Sequence, residues 1–173
     1  GLSMGGIAAY HVALEQPERL TGMVAIAAAA DPDPQWVRWR DRILAEASLR
    51  VGTAPLKPLI TPLMLGKTPL AQRPEVVAKL DQQFQSPRPR GIYPCVKALG
   101  KQDNLLPQLP QVQIPTLVMV GEEDRAVSVE RVRAVAEALP HAQLKVIPQA
   151  GHICVLEQPE LINPAILSFL QSV

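Results

Sequence analysis

The sequence predicts an α/β fold of three parallel strands with flanking helices and an inserted all-helical segment. Three observations carry this. Apolar runs without alternation, at 20–27 and 114–120, are the pattern of strands covered on both faces, as parallel sheets require. Helical stretches adjoin these runs, the rhythm of βαβ units. Most of the 18 prolines fall between Pro32 and Pro115, where no strand pattern occurs, so that region reads as a series of short, interrupted helices.

The chain begins Gly1-Leu2-Ser3-Met4-Gly5-Gly6 and runs into an apolar helix. Gly-x-Ser-x-Gly before a helix is the pattern of a nucleophile elbow, a sharp strand-to-helix turn that raises a serine hydroxyl above the end of a sheet. The serine is held in a strained backbone conformation, and small residues two positions either side let strand and helix approach. The helix start directs free N–H groups at whatever sits on the serine. An ordinary turn gives the same short pattern, so the motif alone leaves both readings open.

The first helix, from about Met4 to Gln16, stops before Pro17. It is apolar on nearly every face, which predicts burial against a sheet. A strand over Leu20–Ala27 follows. Gln35 to Arg50 reads as a helix with Trp36, Val37, Trp39 and Ile43 on its apolar side, the tryptophans packing between inserted helices in preference to contacting substrate. Leu56–Leu65 is a proline-broken piece, and further helices are predicted over Pro74–Phe84 and Gly91–Lys101. A strand over Ile114–Val120 ends at Gly121-Glu122-Glu123-Asp124. Ser128 then caps a helix that Pro140 stops. The strand Gln143–Ile147 leads into Gln149-Ala150-Gly151-His152. The tail from Glu157 to Leu170 is helical, with a break predicted at Pro164 and Asn163 capping the second piece. The division is therefore a core over 1–30, a helical lid over 31–110 and a second core segment over 111–173.

Apolar residues make up 47% of the chain and charged residues 19%, enough to build a globular core. The net charge of +1, without a basic run, points to neither nucleic acid nor an anionic membrane surface as partner. No apolar run is long enough to span a bilayer, and no leader pattern is visible. Cys95 and Cys154 have no metal-type spacing, so no metal or other cofactor is expected, and the setting expected is reducing and cytoplasmic.

Ser3, Asp124 and His152 each follow a strand, one implied and two predicted, and parallel strands bring such loops to one sheet edge. Serine is a weak nucleophile until a histidine takes its proton, and the histidine needs a carboxylate to fix its tautomer and stabilise its cation. Singly, Asp124 could end a strand and His152 could be structural; together, in this order, they point to acyl-transfer chemistry. Asp31 and Asp33, after the preceding strand, are the alternative acids. His11, in the first helix, and His141, beside a turn proline, are read as structural.

Gly-Leu-Ser-Met-Gly-Gly, Pro-Thr-Leu-Val-Met-Val-Gly-Glu-Glu-Asp and Ala-Gly-His-Ile-Cys-Val-Leu-Glu-Gln-Pro-Glu together resemble the α/β-hydrolase superfamily across nearly the whole chain. Within it the chain is most similar to small lidded enzymes: carboxylesterases, 3-oxoadipate enol-lactonases and meta-cleavage product hydrolases. The resemblance implies Ser3 as nucleophile, Asp124 as acid, His152 as base and the Met4 backbone N–H as an oxyanion donor. The implied substrate is a small ester, lactone or related acyl compound, including one cleaved at a C–C bond. A serine at position 3 argues against dehalogenases and epoxide hydrolases, which attack alkyl carbon with a carboxylate.

Family members carry several strands before the elbow, and an early loop, often His-Gly, supplies the second oxyanion donor. This chain has neither, so the resemblance implies the C-terminal part of the fold, without the strand under Ser3. Two other readings follow. One is a non-catalytic remnant that associates with another chain; the other is a cofactor-free perhydrolase or haloperoxidase, against which the long lid argues.

Overall fold

The structure is a computed structural model that describes residues 1–85 and 89–173. Strands β1 (Met23–Ile26), β2 (Thr116–Gly121) and β3 (Ala142–Ile147) form one parallel sheet in that order. Met23 lies opposite Thr116, and Thr116 opposite Ala142. Every residue of β2 is buried, as the unalternating apolar run requires of a central strand covered on both faces.

The two faces of β2 feed two cores. Val118 and Val120 pack with Tyr10 and Ala13 of helix α1 (Met4–Glu15) and with Val132 and Val135 of α7 (Val129–Ala138). Leu117 and Met119 pack on the other face with Ile147, and with Ile162 and Phe169 of α9 (Pro159–Leu170). A short turn of helix, α8 (Cys154–Glu157), precedes α9. Between β1 and β2 run α2 (Gln35–Val51), α3 (Lys57–Met64), α4 (Lys67–Gln72), α5 (Pro74–Gln85) and α6 (Pro89–Leu99).

Four expectations are corrected. The strand under Ser3 is partly present: Leu2 bridges Ile26 in parallel, Ile26 N donates to Gly1 O at 2.9 Å, and Ser3 N donates to Ile26 O at 2.8 Å. Three residues are too few for any periodicity to reveal, yet their backbone groups pair with β1. Helix α1 buries only the side bearing Gly6, Tyr10 and Ala13, while Met4 and Val12 are exposed. Trp36 and Trp39 do not pack between the inserted helices; they are 66% and 58% exposed, and the Arg40 guanidinium lies 5.5 Å from the Trp36 ring centroid. Finally, α9 runs unbroken through Pro164. The carbonyl that Pro164 cannot satisfy belongs to exposed Glu160, where water can reach it, and buried Ile162 and Phe169 hold the helix on either side.

Candidate active site

Ser3 sits between the paired residues Gly1–Leu2 and α1 with φ 53° and ψ −118°. This is a conformation that side-chain-bearing residues adopt only when their surroundings enforce it. The enforcement is visible. A Cβ on Gly1 would collide with the Gly5 carbonyl and lie 2.7 Å from Gly6 N; one on Gly6 would lie 2.5 Å from Ala28 Cβ. Gly5 faces open space, so the second small residue that this packing demands is Gly6. The N–H groups of Gly5, Gly6 and Ile7 are taken up by Leu2 O and Ser3 O. Met4 is the first residue of α1, where a helix offers its N–H no carbonyl.

Asp124 leaves the carboxyl end of β2, and His152 follows β3. Their loops touch at glycine: a Cβ on Gly121 would collide with the Ala150 and Gly151 carbonyls. His152 Nδ1 and Asp124 Oδ2 are 2.9 Å apart, with the aspartate side chain fully buried and the histidine nearly so. Asp124 Oδ1 accepts from Ala126 N at 2.8 Å and Val127 N at 2.9 Å, which locks the carboxylate. Because a carboxylate oxygen accepts, Nδ1 carries a proton, and in the neutral imidazole this leaves Nε2 with its lone pair.

Ser3 and His152 line one cavity of about 420 Å³, whose far wall includes Leu44, Ile60, Leu63 and Phe84 of the inserted helices. Residues 1–159 match the model of the family described as serine aminopeptidase, S33. The chain belongs to this α/β-hydrolase family.

The chain is 30% identical over 166 residues to 3-oxoadipate enol-lactonase 2 of Acinetobacter baylyi, covering 96% of the chain and 60% of the relative. Among solved structures, a thermophilic esterase from Thermogutta terrifontis superposes with TM-score 0.91 at 32% identity, covering 99% of the chain and 63% of the esterase. The enol-lactonase from Burkholderia xenovorans shares the fold, with TM-score 0.88 at 23% identity over 99% of the chain and 64% of that enzyme. The chain thus spans about two thirds or less of these proteins.

The other two candidate acids are engaged elsewhere. Arg131 of α7 directs Nε at both carboxylate oxygens of Asp31, each 3.1 Å away, donates from Nη2 to Asp31 O at 2.7 Å, and bonds Asp33 through Nη1. His152 therefore takes its carboxylate from Asp124, while Asp31 and Asp33 tie the start of the inserted helices to the core. His11 is half-exposed, 3.5 Å from Glu15, and not buried as the helix pattern suggested; His141 is exposed at the start of β3. Burial pushes the Cys154 thiol up to about 12. Among the described residues, no His, Cys, Asp and Glu group could hold a metal ion, and no helix is long and apolar enough to cross a membrane.

Glu157 carries a role that the sequence reading missed. Fully buried, its Oε2 accepts from Gly66 N and Gly151 N, both at 2.9 Å, while Oε1 has no partner. The one available signal was an acidic residue closing the otherwise apolar run Ile-Cys-Val-Leu. Burial raises its pKa, the two N–H groups oppose that rise, and the Asp124 and Glu123 charges add to it. The folded state thus binds the Glu157 proton more tightly than the unfolded chain does. This contribution is fully present below the unfolded carboxylate pKa and is lost as pH rises through the folded one. Urea midpoints should therefore fall with pH more steeply in the wild type than in Glu157→Gln. Parallel curves for the two proteins would contradict this.

Proposed function

We propose that this chain carries the catalytic residues of a serine hydrolase acting on esters or lactones, with Ser3 as nucleophile, His152 as base and Asp124 as acid. The observation that carries the reading is that His152, paired with Asp124 at 2.9 Å, shares a cavity with a serine at φ 53°. In this mechanism Ser3 Oγ attacks the acyl carbon as His152 Nε2 takes its proton, and Asp124 stabilises the imidazolium. The Met4 N–H, at the start of α1, donates to the oxyanion. The imidazolium then protonates the leaving alcohol or enol, giving an acyl-enzyme, and water repeats the sequence at the acyl carbon.

The helices α2–α6 act as the lid. Their contribution to the cavity is mainly aliphatic, which favours an apolar acyl or alcohol group. Asp33 and Asp41, which also line it, are paired with Arg131 and Arg40, so the acids there are committed and not offered to a substrate ammonium. An enol-lactonase and an esterase among the relatives support the ester or lactone class. A fluorophosphonate ester tests the assignment, because it bonds covalently to an activated serine. Peptide mass mapping of the full-length protein should find the adduct on Ser3, and His152→Ala should abolish it. An adduct elsewhere, or one unaffected by His152→Ala, would exclude the triad.

A further inference from the structure

The turn between α3 and α4 lies directly on the loop that carries His152. Ile153 N donates to Met64 O at 3.1 Å, and Gly66 N and Gly151 N converge on the same Glu157 oxygen. The backbones meet so closely that a Cβ on Gly151 would collide with Gly66 N and lie 2.6 Å from Leu65 C. Two residues further on, Glu123, next to Asp124, accepts from Thr68 N at 2.8 Å and Thr68 Oγ1 at 2.6 Å. Arg73, past the end of α4, donates to the Glu157 backbone carbonyl. One segment of the lid, 64–73, is thereby fastened to the acid loop and the base loop alike.

We infer that Glu157 is a positioning residue for His152, a single buried carboxyl that fixes the base loop and the lid turn to each other. The inference rests on the triad reading above. The geometry explains why a side chain is used. Two N–H groups from segments far apart in sequence point at one spot, and each would be orphaned in a dry interior without an acceptor there. His152 is then bracketed on both sides: the peptide before Gly151 is held by Glu157, and the peptide after His152 is held by Met64 O. Glu157 does not line the cavity, so its effect on substrate is transmitted through His152 and not by contact. Among the described residues neither the Gly66 N–H nor the Gly151 N–H has another acceptor, so loss of the carboxyl releases both at once.

Hydrolysis of p-nitrophenyl butyrate by the full-length protein separates this from a purely structural role. Glu157→Leu, similar in size but unable to accept, should lower kcat about 100-fold, as expected when a catalytic base is displaced by an ångström, with KM unchanged. Glu157→Gln keeps an acceptor oxygen and should restore most of kcat. Wild-type kcat in Glu157→Leu, or a Gln variant as impaired as the Leu variant, would overturn the inference. Where Glu157→Leu does not fold, Glu157→Asp decides: withdrawing the acceptor by one methylene should cost kcat about tenfold without changing KM, and wild-type kcat there overturns it equally. Ser3→Ala, run alongside, separates the two levels. If it retains turnover, the triad reading falls and takes this inference with it. If it abolishes turnover while Glu157→Leu keeps kcat, only the role of Glu157 falls.

Discussion

Ser3→Ala and His152→Ala are each expected to lower kcat for an activated ester by on the order of 10⁶-fold, and Asp124→Asn by about 10⁴-fold. The double variant of Ser3 and His152 should be no worse than either single one, because a nucleophile without a base and a base without a nucleophile fail at the same step. The loss expected for Asp124→Asn has a structural origin. Oδ1 and Oδ2 hold different partners, the Ala126 and Val127 amides on one side and His152 Nδ1 on the other. An asparagine that keeps the two amide bonds on its oxygen turns its NH₂ toward Nδ1. The imidazole must then carry its proton on Nε2, the wrong nitrogen for accepting one from Ser3. Asp31→Asn supplies the counter-test. It weakens the pairing with Arg131 but touches no atom of the triad, so kcat should remain near the wild-type value. Normal turnover in Asp124→Asn with loss in Asp31→Asn would move the acid to the loop after β1.

What could be read from the sequence follows from what each feature needs. Strand β2 declares itself through an unalternating apolar run of strand length closed by Gly121, and all six of its residues are buried, as a doubly covered strand requires. Ser128 at the start of α7 is equally legible, since its Oγ accepts from Arg131 N, as a cap should. The sequence favoured Asp124 over Asp31 and Asp33 as partner of His152; what it could not show is that Arg131, about 100 positions from those two acids and with no local pattern to announce it, pairs with both. The tryptophans of α2 show the opposite failure. Hydrophobic identity suggested burial, yet amphipathic spacing cannot say whether a neighbouring helix covers that side, and here Trp36 and Trp39 face solvent. Pro164 misled for a related reason: its local cost is real, but two buried anchors on the same helix outweigh it. Glu157 stood out only as an acid closing an apolar run; its role was not legible because its partners are the backbone N–H groups of Gly66 and Gly151, and a sequence does not show where a backbone N–H points.

The close approach of Gly151 to the turn between α3 and α4 gives the other large expected effect, and one that involves no change in polarity. Alanine at 151 would place Cβ 2.6 Å from Leu65 C and closer still to Gly66 N. Both are backbone atoms inside a packed turn, so no side-chain rotation relieves the overlap and the segments must separate. Overpacking of this kind costs about 1–3 kcal/mol. The separation also withdraws Gly66 N or Gly151 N from Glu157 Oε2, which leaves a buried donor unsatisfied at about 1–3 kcal/mol. Gly151→Ala should therefore lower the urea-derived stability by about 2–6 kcal/mol. Any protein that still folds should lose kcat about 100-fold, because His152 is the next residue and moves with the loop. Gly91→Ala on α6, where an added Cβ meets nothing within 4 Å on an exposed position, separates the cost of contact from that of adding a methyl group. It should be neutral or stabilising by up to about 1 kcal/mol, as for glycine to alanine within a helix. Equal behaviour of the two variants would mean that the His152 loop and the turn between α3 and α4 do not meet as closely as the geometry requires. A stable Gly151→Ala protein with undiminished kcat would show that His152 is held in place by Asp124 alone.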